Sequence, residues 1–315
     1  MGAALMLSRV ANSLYWSSRY LERAEIAARS SAALYGYGLE LQGISHVAAL
    51  ACWQSMPQLI DVDFGGSDPE ELLHTILFDP YAPGSVLNAV IHARENARSV
   101  RDVIPSEYWE AINMLFHLLH DTSKAAPDEE HDIAVAGQAS LYFHVLHGLR
   151  DNSMMRNDGW HFIRLGRNLE RASGAIRIVD FMFGHPALDL AEKEALSIDA
   201  VHLATTLRMA MGYEAFSGLG GHLTPDSVAD FLLLDSSFPR SAEFAIHDLS
   251  VSLHALSRTP IDIISSDAER IAGRMLAELR FRDAGEVLID LGDWTLDLLK
   301  RLNSLGLAIN AQYFP

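Results

Sequence analysis

The chain is poor in cysteine, in proline and in long apolar runs, and each scarcity excludes a class of protein. Cys52 is the only cysteine among 315 residues, so a disulfide framework and a cysteine-ligated zinc site are both excluded. The 11 prolines fall mostly between segments of apolar periodicity, which permits long helices because proline breaks helix interiors. No stretch reaches the run of about 18 apolar residues that a membrane span requires.

Positive charge is also scarce. The 24 lysines and arginines stand against 41 aspartates and glutamates, for a net charge of −17. Nucleic acids and anionic membranes are recognised through basic surfaces, so we expect neither as a partner. Because Arg9 interrupts the apolar start of the chain, a signal peptide is not indicated and a cytoplasmic location is the expectation.

Helical periodicity, in contrast, is abundant. Apolar residues recur with the helical period over Leu5–Tyr35, which Gly36 and Gly38 are predicted to end. Strand-like alternation is confined to Asp61–Phe64. The other predicted helices are Ser45–Ser55, Pro69–Leu77, Ser85–Val103, Ser106–His120, Asp132–Gly148, Trp160–Phe183, Leu190–Tyr213, Thr224–Leu234, Ser241–Leu256, Ser266–Phe281 and Asp283–Leu302. We predict an all-α protein of about a dozen helices.

Two short motifs occur twice, in the same order. Arg19–Ala24 reads Arg-Tyr-Leu-Glu-Arg-Ala, and Arg167–Ala172 reads Arg-Asn-Leu-Glu-Arg-Ala, 148 positions later. Ile76–Ser85 likewise matches Leu232–Ser241 at an offset of 156. The similar offsets predict a duplicated unit of about 150 residues. The expected division is into two pseudo-repeated helical halves, 6–150 and 151–315, closely packed as one unit.

The second motif has the sequence of a tight turn that leads into a helix. Asp79 and Asp235 each stand ahead of a proline and a serine, and a serine in that position can cap the next helix. Arg240, however, stands where the first copy has Gly84, so the two halves are not equivalent at this point.

The first motif combines arginines with a glutamate on one helical face. Arg19, Glu22 and Arg23 are three and four residues apart, so Glu22 can pair with Arg19 within its helix. Arg167, Glu170 and Arg171 repeat the arrangement. Only three of the 24 basic residues are lysines, and the planar fork of arginine suits carboxylate and phosphate groups. Three interpretations stay open: a network that ties the halves together, an anion site, and a solvated face.

A further basic cluster consists of Arg94, Arg98 and Arg101, which a helix over Ser85–Val103 would place in one stripe. An exposed face, a salt-bridge seam and a wall of an anion-binding cavity are the alternatives. The candidate ligand-binding residues are Trp16, Arg19, Arg23, Arg94, Arg98, Arg101, Arg167 and Arg171. If the protein is an enzyme, Glu22 and Glu170 are its candidate acid/base residues.

A metal site is not expected. Glu71 and His74 form one E-x-x-H motif, whereas a carboxylate-bridged di-metal bundle requires two such motifs and two further carboxylates. Phosphate-binding glycine loops and the G-x-S-x-G motif of serine hydrolases are missing from the sequence. No cofactor is therefore predicted.

Several segments resemble the bacterial alpha-E family, also called domain of unknown function 403. They are Met6–Ala11, Leu14–Trp16, Arg19–Glu25, Ala93–Arg98 and Phe231–Asp235. The resemblance runs over essentially the whole chain from Met6, although Gly166 and Asn168 replace Ser18 and Tyr20 in the second copy. It implies an all-α cytoplasmic protein that accompanies circularly permuted ATP-grasp ligases and transglutaminase-like peptidases.

The hypothesis at this point is an accessory protein of an ATP-grasp amide-ligase system, without independent catalytic activity. It would bind the ligase, an anionic peptide or a nucleotide through arginine-lined helices. The first alternative is an enzyme that acts on a small anionic or peptide substrate between the halves. The second alternative is a purely structural helical scaffold.

Overall fold

The computed structural model describes residues 7–184 and 195–315, and there the chain forms thirteen α-helices and no strand. The helices, α1 to α13, are Ser8–Gln42, His46–Ile60, Pro69–Phe78, Val86–Arg98, Ser106–Thr122, Glu129–Ser153, Asp158–Gly184, Ala195–Met209, Tyr213–Gly218, Pro225–Leu234, Ala242–Ser257, Asp267–Phe281 and Leu291–Tyr313. The prediction of an all-α protein is confirmed. The starts of two predicted helices, at Leu5 and Leu190, lie outside the described residues.

Helix α1 is longer than predicted, because Gly36 and Gly38 lie inside it and do not end it. Gly38 provides room for a neighbour, since a Cβ there would lie 2.1 Å from Trp53 Nε1. Trp53 donates a hydrogen bond to the Tyr35 carbonyl at 3.4 Å, and Tyr37 and Tyr35 are buried. Burial of these rings outweighs the low helix propensity of the two glycines.

Helices α1 and α7 lie side by side and run in the same direction. A Cβ on Gly166 would lie 2.2 Å from both the Ser18 Oγ and the Tyr15 carbonyl oxygen. Farther along, a Cβ on Gly174 would lie 2.5 Å from Ile26 Cδ1. The contacts advance along both helices together, and the two glycines allow the close approach. This helix pair forms the centre of the fold.

The neighbours of α1 and α7 correspond in chain order. Helix α1 packs against α3, α4 and α6, and α5 packs against α4 and α6. Helix α7 packs against α10, α11 and α13, and α12 packs against α11 and α13. A duplicated unit predicts this correspondence, but α2 and α8 depart from it, because both pack mainly against α1. The division into halves 6–150 and 151–315 remains a prediction.

Two helix boundaries differ from the prediction and affect the candidate site. Helix α4 ends at Arg98, so Arg101 lies in the following turn and the predicted stripe of three arginines is interrupted. Helix α13 begins only at Leu291 and continues to Tyr313, where Leu302, Leu305 and Ile309 are buried. No helix in the described ranges is long and apolar enough to cross a membrane.

Candidate functional site

Carboxylates on α1 and α7 pair with arginines of the opposite helix. Arg19 Nε and Arg23 Nη2 donate to Glu170 Oε1 at 2.7 and 2.8 Å. Arg171 donates from Nε and Nη2 to the two oxygens of Glu22 at 2.9 and 3.0 Å. The expected pairing of Arg19 with Glu22 within one helix is therefore wrong. The two helices approach so closely that each glutamate is nearer to the arginines across the interface.

The two crossing pairs differ in exposure. The side chains of Glu22 and Arg171 are 1% and 8% exposed, and Arg171 also donates to the Pro239 carbonyl at 3.2 Å. Glu170 is 10% exposed, whereas Arg23 is 37% exposed. The first pair is thus sealed in the interior, and the second lies at the edge of an open space.

A cluster that the sequence analysis missed surrounds Glu22. Arg240 donates to Glu22 Oε1 at 3.2 Å and to Glu25 Oε1 at 2.6 Å. Glu25 also contacts Arg29 at 3.1 Å and His147 Nε2 at 2.8 Å. The sequence did contain one signal, since Arg240 replaces the glycine expected from the repeat. Glu25 and His147 carried no comparable signal.

This cluster also has the composition of a metal site. Glu22, Glu25 and His147 offer ligand atoms within 4.8 Å of one another. Their carboxylate oxygens already accept hydrogen bonds from Arg171 and Arg240, so the geometry favours an ion-pair network. The histidine of the E-x-x-H motif contacts a different helix. His74 Nδ1 on α3 lies 2.9 Å from Asp132 Oδ2 on α6.

The ion pairs keep the interior carboxylates charged. Burial raises the pKa of Glu22, but Arg171 and Arg240 outweigh burial and lower it below 4.5. For Glu25, burial is likewise outweighed, by Arg240 and His147, and its pKa is well below 4.5. Burial also raises the pKa of Glu170, and Arg19 and Arg23 reverse that effect. These groups are therefore carboxylates at neutral pH.

We expect acid to destabilise the fold through these carboxylates. Their folded-state pKa values lie below 4.5, so their contribution is present above that pH and is lost as the pH falls through the folded-state values. Urea unfolding between about pH 6 and pH 3 should show stability falling with pH, and less steeply in Glu22→Gln. Equal slopes for both proteins would contradict this prediction.

A cavity of about 360 Å³ opens beside Glu170, and its volume lies in the usual range for ligand pockets. Its walls are α1, α7 and α13, with the end of α2 and the turn before α4 at one side. Most of the residues named here from its lining are polar or charged, and Trp16 and Gly84 are the exceptions. They are Trp16, Arg19, Arg23, Ser30, Asp61, Gly84, Glu170, Ser173, Arg177, Asn303 and Asn310.

Two buried polar atoms of this lining lack a hydrogen-bond partner among the described residues. They are Ser30 Oγ and Asn310 Oδ1. Ser30 is fully buried. Buried polar atoms are nearly always satisfied in folded proteins, and an unsatisfied one calls for water or a ligand. The cavity therefore offers a ligand both a hydrogen-bond donor, the Ser30 hydroxyl, and an acceptor, Asn310 Oδ1.

Arg177 is a positively charged residue of the cavity wall that has no partner among the described residues. It is exposed, lies on the cavity wall, and has no ion-pair or hydrogen-bond partner in the part of the chain that the structure describes. Seven residues separate it from Glu170, so it lies about 10 Å farther along the same face of α7. Sequence analysis missed it, although Arg177 aligns with Arg29 at the offset of the repeat.

Only part of the predicted ligand site lines this cavity. Trp16, Arg19 and Arg23 do, and the guanidinium carbon of Arg19 lies 4.7 Å from the Trp16 ring centroid. Of the two candidate catalytic residues, Glu170 lines the cavity, whereas Glu22 is sealed behind Arg171 and Arg240.

The arginines of the α4 region lie elsewhere. Arg94 donates to Asn113 at 2.8 Å and packs on the Phe116 ring. Arg98 pairs with Glu95 at 2.8 Å on an exposed surface, and Arg101 is exposed in the turn beyond α4. None of the three lines the cavity beside Glu170, so the structure does not bring them together with the motif. Their ligand-binding role stays a prediction.

Arg167 and Arg171 do not line the cavity beside Glu170. Arg167 lies 3.7 Å from Asp248, which pairs more closely with Arg164 at 2.5 Å. Burial lowers the pKa of Arg167 well below its ordinary value, and the adjacent Arg171 and Arg150 lower it further. Arg171 is occupied by Glu22. Both residues thus belong to the interior network.

The two predicted turns are confirmed in matching detail. Asp79 Oδ1 accepts from the Tyr81 amide at 2.7 Å, and Asp235 Oδ1 accepts from the Ser237 amide at 2.7 Å. Ser85 and Ser241, in turn, cap α4 and α11. The first turn places Gly84 at the cavity beside Glu170, and the second places Arg240 against Glu22.

Comparison with known proteins identifies a helical family. Residues 6–314 match the sequence profile of the Alpha-E family, which is described as a predicted alpha-helical domain with a conserved ER motif. The uncharacterized protein Mb2597 of Mycobacterium bovis is 24% identical over 300 residues, and the uncharacterized protein Rv2567 of Mycobacterium tuberculosis is 23% identical over the same length. The match covers 88% of this chain and 33% of each relative. No solved structure matches.

Proposed function

Since the chain belongs to the Alpha-E family of helical domains, we propose that it is an accessory protein of an ATP-grasp amide-ligase system and binds an anionic ligand beside Glu170. A circularly permuted ATP-grasp ligase and a transglutaminase-like peptidase are its proposed partners, in the cytoplasm. The ligand site is the cavity between α1, α7 and α13.

Arg177 is the single observation that carries the ligand proposal. The other cavity arginines, Arg19 and Arg23, already share the Glu170 carboxylate, whereas Arg177 has no partner among the described residues. A guanidinium in a concave site presents a planar set of N–H donors that suits a carboxylate or a phosphate. Arg23 strengthens the site because its Nη2 alone contacts Glu170, which leaves its other donors available.

Replacement of Arg177 should weaken anion binding. A hydrogen bond to a charged group contributes about 1.5–3 kcal/mol, so Arg177→Gln is expected to raise the Kd for the ligand by roughly 10- to 100-fold. Calorimetric titration with phosphate, ADP, ATP and short acidic peptides would measure this effect. Arg98→Gln is the matched control, since Arg98 is 64% exposed and does not line the cavity. Equal affinities in the Arg177 and Arg98 variants would refute the site.

The ligase partnership requires a separate experiment. This chain spans about a third of the length of the relatives that it matches. In those proteins the matching region is therefore joined to further segments of the same chain. Affinity purification with a co-expressed ATP-grasp ligase should recover the two proteins together, with any bound small molecule identified by mass spectrometry. Recovery of this protein without the ligase would remove the partnership and leave the cavity proposal standing.

The enzymatic alternative now depends on Glu170 alone. Glu170 lines the cavity, and its Oε2 receives no hydrogen bond from the described residues, because Arg19 and Arg23 both donate to Oε1. Its lowered pKa keeps it ionised, which suits an electrostatic contact, makes it a weak base and opposes service as an acid at neutral pH. Glu22 is too enclosed to reach a substrate in this cavity. The structural alternative assigns the same ion pairs only to joining α1 and α7.

A further inference from the structure

Arg167 is an interior arginine whose charge is poorly matched by its neighbours. Its side chain is 12% exposed, and its Nε donates to the side-chain oxygen of Asn168 at 3.3 Å. Asp248 is its one carboxylate partner among the described residues, at 3.7 Å from Nη2, and pairs more closely with Arg164. Nη1 has no hydrogen-bond partner among the described residues. Because arginine stays protonated in proteins, Arg167 is a buried cation without a carboxylate of its own.

The ion pairs of this interior region contain more arginines than carboxylates. The carboxylates are those of Glu22, Glu25, Asp151 and Asp248, and the arginines are Arg29, Arg150, Arg164, Arg167, Arg171 and Arg240. Six positive charges therefore stand against four negative charges, an excess of two. None of the six arginine side chains is more than 15% exposed, so solvent screens this excess only weakly. A buried charge without a partner is strongly destabilising.

A small cavity lies against Arg167 and shares no lining residue with the cavity beside Glu170. Its volume is about 20 Å³, which is enough for one water molecule or one ion of similar size. Arg150 and Tyr108 also line it. Ser18, another lining residue, has already donated its hydroxyl to a backbone carbonyl. The cavity thus brings space for one small particle to the arginine that lacks a counter-charge.

The negative charge in the wall of this cavity is already matched. Glu22 lines the cavity, but its two oxygens accept from Arg171 and Arg240. His147, also in the wall, has its Nε2 at 2.8 Å from Glu25. The charge that still requires a partner is therefore positive.

Tyr108 provides a hydrogen-bond donor on the same wall. It is 6% exposed, and its hydroxyl makes no hydrogen bond among the described residues. Burial raises the pKa of Tyr108, and the opposing effects of Arg150 and Arg167 do not cancel that rise. The hydroxyl therefore keeps its proton at neutral pH and can donate it in a hydrogen bond to an anion.

We propose that this small cavity binds a chloride ion, held by the Arg167 guanidinium and the Tyr108 hydroxyl. The volume restricts the ligand to a monatomic ion, because phosphate and carboxylate compounds are larger than one water molecule. A water molecule fits the same space but leaves the excess of positive charge at two, whereas one chloride lowers it to one. The site is separate from the cavity beside Glu170, so the inference goes beyond the proposed function and does not depend on it.

Thermal unfolding of the full chain in different sodium salts tests the proposal. Chloride, bromide and gluconate at an equal ionic strength of about 0.2 M screen charges equally, but gluconate is too large for a cavity of about 20 Å³. A ligand that binds only the folded state raises its stability, so Tm should be about 2–4 °C higher in chloride or bromide than in gluconate. Equal Tm values in the three salts would overturn the proposal.

Arg167→Met separates the site from a general effect of salt. Methionine fills a similar volume and requires no counter-ion, so the variant should melt at the same temperature in chloride and in gluconate. Arg270→Met is the matched control, since Arg270 is 52% exposed and does not line the cavity, and it should keep the full chloride shift. A chloride shift in Arg167→Met equal to that of the unmodified protein would contradict the site.

Tyr108→Phe removes only the hydroxyl and provides a test that does not alter the charge. The chloride concentration that gives half of the Tm shift should rise by about tenfold, because one hydrogen bond to a charged group is lost. An unchanged concentration would exclude Tyr108 as a donor. Crystals grown in sodium bromide should show an anomalous-scattering peak between Arg167 and Tyr108, and bromide peaks only at other places would overturn the assignment.

Discussion

Glu22→Gln is expected to lower the free energy of unfolding by about 3–5 kcal/mol, the usual cost of removing one member of a buried ion pair. Arg171 donates two hydrogen bonds to Glu22, and Arg240 donates one. Glutamine has nearly the same shape, but it offers one acceptor where the carboxylate offers two and carries no charge. Apart from that single acceptor, Arg171 would then keep only the Pro239 carbonyl among its described partners, and Arg240 would keep only Glu25, which Arg29 also contacts. Urea unfolding monitored by far-UV circular dichroism would measure the loss.

Glu95→Gln provides a matched control for the same chemical change. Glu95 pairs with Arg98 on α4, and the two side chains are 46% and 64% exposed. Exposed ion pairs contribute about 0–1 kcal/mol, so this variant should unfold at nearly the urea concentration of the unmodified protein. Should Glu22→Gln behave like Glu95→Gln, the α1–α7 pairs contribute no net stability and the interpretation as a structural network is lost.

Gly166→Ala is the second substitution with a large expected effect. The new methyl group would lie 2.2 Å from the Tyr15 carbonyl oxygen, a backbone atom of α1 that cannot rotate away. The two helices would have to separate, and overpacking of this kind costs about 1–3 kcal/mol. We expect a loss at the upper end of that range, because the crossing ion pairs between α1 and α7 would lengthen as well. The measurement is again urea unfolding.

The control for this substitution has the opposite expected sign. Gly273 lies inside α12 with nothing within 4 Å of an added Cβ. Gly273→Ala should therefore raise stability by about 0.5–1 kcal/mol, through helix propensity alone. A gain of similar size in Gly166→Ala would show that α1 and α7 do not approach as closely as the structure has them.

The sequence predicted the helical class well, because amphipathic periodicity is a local property of a segment. Boundaries were predicted less well where packing overrides propensity. Helix α1 passes through Gly36 and Gly38 because Trp53 occupies the space above Gly38. Helix α13 reaches Tyr313 because Leu305 and Ile309 complete a buried stripe. The spacing of these two residues with Leu302 was a usable signal of the longer helix.

The candidate site was predicted only in part, for a different reason. The residue types of the Arg-Glu motif indicated ion pairing, but its partners lie across an interface that no local pattern specifies. Arg177, Asn310 and Asp61 come from three separate elements, and only tertiary packing brings them to one cavity. The sequence marks Arg240 as a break in the repeat, where it replaces Gly84, but does not reveal that it pairs with Glu22 and Glu25.

The crossing pairs have a consequence for how the chain folds during synthesis. Glu22 meets Arg171 only after 149 further residues have been made, which takes about 7–30 s at a translation rate of roughly 5–20 residues per second. Until then Glu22 has neither of its arginine partners, Arg171 and Arg240, although α1 also carries many residues of the finished core. Contacts of such long sequence separation slow folding. During synthesis, the amino-terminal half therefore lacks its contacts with α7 until that helix has been made.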